Sequence, residues 1–292
     1  MYRALADAIR EAEEQKKSLW QVALERESED QGRSIDEIRS SLRRALEVMR
    51  GAIGDGMTGE LRSSSGLVGG DAAKLFNDSA GPLADTPFRD ILARALAVQE
   101  VNAAMGVIVA APTAGGAGTL PAVLTGLAKA KSIPEEKLID ALATAGLVGA
   151  VIAERASLSG AEGGCQAETG AGAAMAAAAA TEMLGGTPSQ AGHAVALTMQ
   201  GMLGLVCDPL GGLVELPCVF RNATGAAIAL AGIEMALAGI KFAIPADEVI
   251  DVMGEIGREM DVRYRETAGG GLAATPTGRK LAKERLYQIR RS

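Results

Sequence analysis

The residues of this chain best suited to chemistry are its three cysteines, Cys165, Cys207 and Cys218. Each stands in a glycine- or proline-rich break between apolar segments that read as helices: G-A-E-G-G-C-Q-A-E, G-L-V-C-D-P and V-E-L-P-C-V. Three thiolates are one short of the four that hold an iron–sulfur cube, and a cube lacking one ligand keeps an iron open to a substrate. Cys165 directly precedes an alanine-rich helix. Free amides at a helix start favour a thiolate, and Gly163 and Gly164 offer further amides to sulfur. Cys207 and Cys218 bound a single connection, C-D-P-L-G-G-L-V-E-L-P-C. The absence of a C-x2-C pair disfavours structural zinc and ferredoxin-type sites. On spacing alone, three buried and inert thiols remain the simpler reading.

Other segments offer polar contacts. In A-P-T-A-G-G-A-G-T, residues 111–119, Thr113, Gly115 and Gly116 supply a hydroxyl and bare backbone amides that suit a carboxylate; a tight loop between packed helices fits as well. The segment is not a dinucleotide fingerprint, because Pro121 fills the last glycine position. Arg221 and Asn222 follow Cys218, and Arg265 and Thr267 open R-E-T-A-G-G-G. Either arginine suits a carboxylate ligand or a structural ion pair, as of Arg265 with Glu266. His193, the only histidine, sits in a helical pattern and reads as structural sooner than catalytic. It and Glu168 are the candidates for proton transfer, and no Ser/His/Asp set can be assembled.

The elements that position these residues read as helices throughout. Aromatics make up 3% of the chain, hydrophobics 48%, and glycine totals 37, so the core must be built from small and aliphatic side chains that let helices approach closely. Residues 1–55 read as an N-terminal amphipathic helical arm. Within it Ser34-Ile35-Asp36-Glu37 is a capping box, and Ile35, Ile38, Leu42, Leu46 and Met49 form an apolar stripe that packs on the main domain or on a partner. Residues 51–87, rich in Gly and Ser, read as a flexible linker or as a loop that approaches a ligand with its backbone. Residues 56–292 form a large helical domain. Helices are expected from Pro87 to about Gly106, after Ile133-Pro134, over Ala171–Leu184, from Thr187-Pro188, and over Ala223–Ile240 and Pro245–Met260. The run Gly106–Ala111 suits a strand or a buried helix. The fold class is all-α.

Several classes fall away. A net charge of −7 argues against a nucleic-acid partner. The basic tail Arg279–Ser292 reads as a solvated helix face before a binding surface. The uncharged stretch Val101–Ala128 is broken by Pro112, Gly115, Gly116, Gly118 and Pro121, so no membrane span is expected. The charged N-terminus lacks a signal-peptide core, and the expected compartment is the reducing cytosol.

Five stretches carry a resemblance. They are A-P-T-A-G-G-A-G-T-L-P-A-V-L, S-L-S-G-A-E-G-G-C-Q-A-E-T-G, E-M-L-G-G-T-P, M-L-G-L-V-C-D-P-L-G-G-L-V-E-L-P-C-V-F-R-N-A and R-E-T-A-G-G-G-L-A-A-T-P-T-G. In order, over residues from about 65 to 279, they resemble the α subunit of iron–sulfur-dependent L-serine dehydratase. The resemblance implies that Cys165, Cys207 and Cys218 hold a [4Fe–4S] cluster. It implies conversion of L-serine to pyruvate and ammonia without pyridoxal phosphate, as a step of amino-acid degradation. The open iron would polarise the substrate hydroxyl while a general base takes the α-proton. The family carries a Ser-Ser-His-Thr motif in its β region. Here Ser63-Ser64-Ser65 is followed by Gly66, so a separate β subunit and a hetero-oligomer are expected. Some relatives place a C-terminal cysteine on the cluster, whereas this sequence ends Arg-Arg-Ser. Two other readings are a related lyase such as a cysteine desulfidase, and a non-catalytic helical subunit whose arm binds a partner.

Overall fold

The computed structural model describes residues 2–289. In chain order its helices are α1 (Leu5–Glu14), α2 (Leu19–Gln31), α3 (Ile35–Met57), α4 (Asp71–Asn77), α5 (Pro87–Ala103), α6 (Thr119–Lys131) and α7 (Glu135–Arg155). The short α8 (Gly160–Gly163) leads to α9 (Ala171–Met183), α10 (Pro188–Met199), α11 (Cys218–Leu237), α12 (Ala246–Glu259) and α13 (Pro276–Ile289). Among the described residues there is no strand, only an isolated bridge between Cys207 and Arg265, so the fold is all-α. No helix there is long and apolar enough to cross a membrane. The end of the basic tail, Arg290–Ser292, lies outside the described residues.

The alanine-rich α9 forms the centre. Residues 171–181 are all buried, and α6, α7, α10 and α11 pack around them. Alanine favours helix intrinsically, and its methyl group lets four neighbours approach one axis. Leu120, Leu124, Ile139, Val148, Ile152, Val195 and Ile233 fill the spaces between them.

The N-terminal helices belong to this same core. Leu5, Ala8, Leu19, Val22, Leu46 and Met49 join the cluster that contains the α9 alanines. Of the two roles open to the arm, packing on the main body is the one observed. Its attachment has a polar component that sequence did not reveal. Asp247 of α12 accepts from the Leu5 and Ala6 amides at 2.7 and 2.9 Å. Glu182 of α9 accepts from the Leu19 and Trp20 amides. Glu100 of α5 likewise accepts from Gly70, Asp71 and Ala72 at 3.0, 2.7 and 3.1 Å. Three helix starts are thus capped by carboxylates distant in the chain, which satisfies free amides and places negative charge at the positive end of each helix.

Local start signals act as expected: Ser34, Thr86 and Thr187 cap α3, α5 and α10. Three expectations are corrected. Residues 51–87 are not one linker, because α3 runs on to Met57 and α4 occupies Asp71–Asn77. The helix expected over Ala223–Ile240 begins five residues earlier, at Cys218. Gly106–Ala111 is neither strand nor buried helix. Met105 adopts φ 62°, the chain leaves α5 there, and Val107 is 75% exposed with no neighbouring strand to pair.

Candidate active site

The three cysteine-bearing breaks meet beside the start of α9. Cys165 has helical dihedrals and opens a continuous helix whose first stretch, Gln166–Gly170, is a π-helical turn leading into α9. Such turns carry one extra residue and recur at functional sites. Cys165 Sγ lies 3.2 Å from the Thr169 hydroxyl. Gln166 fixes this turn from both sides, donating to the Met253 carbonyl at 3.0 Å and accepting from the Gly204 amide at 2.9 Å.

Cys207 is held by its backbone. Its amide donates to the Tyr264 carbonyl and its carbonyl accepts from the Glu266 amide, each at 2.8 Å. This bridge brings the R-E-T segment to the cysteines. Cys218 is the first residue of α11, so Arg221 and Asn222 follow on the first turn. Arg221 donates to the Val206 carbonyl at 2.8 Å, pairs with Asp208 at 2.7 Å, and also faces Cys165. Asp208 in turn accepts from the Leu272 amide at 2.6 Å. A single guanidinium therefore ties together the segments that carry Cys165 and Cys207.

Asn222 is fully buried, and its side chain is committed to the 113–119 loop. It accepts from the Gly118 and Thr119 amides at 2.9 and 3.2 Å and donates to the Gly115 and Cys218 carbonyls at 2.7 and 3.0 Å. It therefore positions the loop. The loop presents Thr113, whose hydroxyl donates to Glu168 at 2.7 Å. Gly115 and Gly116 are buried against the same residue: a Cβ on Gly115 would lie 2.9 Å from Glu168 Oε2. A Cβ on Gly160 would lie 2.7 Å from Glu168 Oε2 and 3.2 Å from Cys207 Sγ, so carboxylate and thiol face each other over bare backbone.

Electrostatics join these groups. Burial pushes all three thiols up, Cys218 to about 12, and the negative charges of Cys165 and Glu168 push Cys207 and Cys218 further. Burial also raises Glu168; the Thr113 hydroxyl opposes this and Glu266 adds to it. The pocket is thus an assembly of anion-forming groups in a low dielectric, with Arg221 as its close cation. Among the described residues, no three His, Cys, Asp or Glu side chains surround a point that would hold a single metal ion.

The remaining candidates stand elsewhere. His193 lies partly buried in mid-α10, next to Gly192, which packs on Ile9 of α1, and it makes no hydrogen bond to a site residue. Thr267 is exposed and uses its hydroxyl within its own turn, with Val262 and Gly269. Arg265 lines a cavity that none of the cysteines touches. Sequence reasoning missed Asp208, Glu266 and Glu215. Glu215 is buried and accepts from Ser63 Oγ at 2.6 Å, from the Ser65 amide at 3.2 Å and from Ser65 Oγ. The triple-serine segment therefore clamps the Cys207–Cys218 connection. The available signal was two acids, Asp208 and Glu215, inside an otherwise apolar, glycine-rich loop.

Fold and site together define an all-helical protein with a buried cluster of thiols and carboxylates beside the start of α9. Residues 14–273 match the family described as serine dehydratase alpha chain, and the chain belongs to that family. It is 47% identical over 286 residues to the probable L-serine dehydratase alpha chain of Bacillus subtilis, covering 97% of this chain and 95% of that one. It is 39% identical over 272 residues to the L-serine dehydratase alpha chain of Peptoniphilus asaccharolyticus, covering 92% and 93%. To the L-serine dehydratase of Streptomyces coelicolor it is 41% identical over 257 residues, which span 86% of this chain and 56% of the longer relative.

Proposed function

We propose that this chain is the alpha subunit of a pyridoxal-independent L-serine ammonia-lyase that releases pyruvate and ammonia from L-serine, and that Cys165, Cys207 and Cys218 hold a [4Fe–4S] cluster. The observation that carries the reading is the convergence of three buried thiols and Glu168 on one pocket. The donor set fits the group. Soft thiolates suit iron–sulfur clusters, and a cationic iron centre would offset the burial and the neighbouring negative charge that keep these thiols protonated. Each thiolate of a cube binds a different iron, so the sulfurs spread wider than around one ion, which accords with the lack of a single-ion site. When bound, such a cluster supplies an iron with an open position that acts as a Lewis acid on the substrate hydroxyl.

The chain's own residues supply the rest. Glu168, held by Thr113, is the group poised to take the α-proton. Asn222 keeps the 113–119 loop closed over it, and Arg221 balances the negative charge of the pocket. Burial excludes water from the proton-transfer step.

The names of the relatives, printed as alpha chains, support an alpha role. From the alpha-chain naming we infer a separate beta subunit that completes the site in a cytoplasmic hetero-oligomer. The test is anaerobic reconstitution with iron and sulfide, with and without a candidate beta chain, followed by a pyruvate assay. A brown, iron-dependent activity lost in Cys207→Ser is expected. An iron-free chain that turns over L-serine would overturn the reading.

A further inference from the structure

Two arginines take no part in the pocket. In a chain with 36 Asp and Glu residues, Arg258 and Arg265 make no side-chain hydrogen bond or ion pair among the described residues. Both open on one cavity of about 540 Å³ between α12, the start of α9 and the turn after α12. The Nε of Arg265 is shielded from solvent and has no acceptor. A buried donor in that state is costly unless something occupies the space before it. Arg258 folds back over Gly254: a Cβ there would lie 3.2 Å from its Nη1 and 3.1 Å from the Ala156 Cβ. The glycine is what lets the guanidinium lie along the cavity wall.

The same cavity holds one acid. Glu162 accepts from the Ser157 hydroxyl at 2.6 Å through Oε2, and Oε1 has no partner. Met253 and Ala167 line the same cavity with apolar atoms. Two unpaired guanidinium groups, one half-used carboxylate and an apolar wall complement a zwitterion. A dianion such as phosphate would meet repulsion from Glu162.

We propose that this cavity is a binding site for a free α-amino acid. The ligand carboxylate lies between Arg258 and Arg265, the ammonium meets Glu162, and the side chain rests on Met253 and Ala167. The site uses none of the cysteines and does not depend on the dehydratase reading.

Calorimetry on the full chain tests it, with L-alanine as the probe because it has no hydroxyl to eliminate. Saturable L-alanine binding is expected. Arg258→Ala should weaken it at least tenfold. Glu162→Gln should weaken L-alanine but leave propionate, which lacks the ammonium, within about twofold. Cys207→Ser should keep the native affinity, which separates this site from the thiol pocket. Both Arg258 and Glu162 are exposed, so circular dichroism should show unchanged folding in their variants. Absence of saturable L-alanine binding to the native chain, full affinity in Arg258→Ala, loss of affinity in Cys207→Ser, or tighter binding of inorganic phosphate would each overturn the proposal.

Discussion

Thr113 donates its hydroxyl to Glu168 across 55 residues of sequence, and it does so where Gly115 leaves room for the carboxylate. The relation defines the position of the acid whose carboxylate meets the Cys207 thiol over the bare backbone of Gly160. Glu168→Gln keeps size and shape but removes the proton acceptor. Its kcat should fall on the order of 10²–10⁴-fold, the usual contribution of a general base. Thr113→Val should give a smaller loss of about tenfold, as expected for one positioning hydrogen bond. Steady-state pyruvate release alongside visible absorbance measures both; a native kcat in Glu168→Gln would remove Glu168 from the mechanism.

Asn222 is expected to matter for stability. Asn222→Ala strips partners from two amides and two carbonyls in a buried setting, and each uncompensated group costs about 1–3 kcal/mol. A loss of about 3 kcal/mol or more in urea unfolding should follow. Asn222→Asp keeps the two acceptor bonds and should lose less.

Glu182 gives a pH prediction. Burial raises its folded value above the ordinary 4.5, against hydrogen bonds from Thr144, Leu19 and Trp20. The folded state therefore holds a proton that the unfolded chain has released. That contribution is complete below 4.5 and is lost as pH rises through the folded value. Glu182→Gln has no charge to bury. Its melting temperature relative to the native chain should rise between pH 4 and pH 7, a window that spans the ordinary value. A difference independent of pH would contradict the assignment.

The Glu215 clamp predicts local loosening. Glu215→Ala leaves the Ser63 and Ser65 hydroxyls without their acceptor, at about 1–3 kcal/mol for each buried group. Limited proteolysis should then cut the Cys207–Cys218 connection faster, while the helical content measured by circular dichroism stays constant.

What sequence revealed was local. Ser34, Thr86 and Thr187 cap helices through residues three positions on, so composition and spacing suffice to find them. The start of α11 was misplaced because Leu-Pro-Cys218-Val carries no capping side chain; the Val219 and Arg221 amides donate instead to the Glu215 and Pro217 carbonyls. Residues 63–65 read as linker because their partner, Glu215, is some 150 positions away. The three cysteines were found directly, but their meeting with Glu168 depends on a loop 55 residues earlier. The apolar run after α5 misled for the opposite reason: hydrophobic composition records an affinity for burial, and nothing among the described residues covers Val107.

The π-helical turn at Gln166–Gly170 makes the pocket sensitive to residue count as well as residue type. Deleting any one of its five residues would let the backbone relax into an ordinary α-helix with its hydrogen bonds intact. Cys165, the residue just before the turn, would then be displaced by about 100° around the axis of α9, the angle one residue subtends. Cys165 would swing away from Cys207 and Cys218 while the alanine core stayed in register. A chain so shortened would keep the alanine helix but carry a dispersed set of thiols.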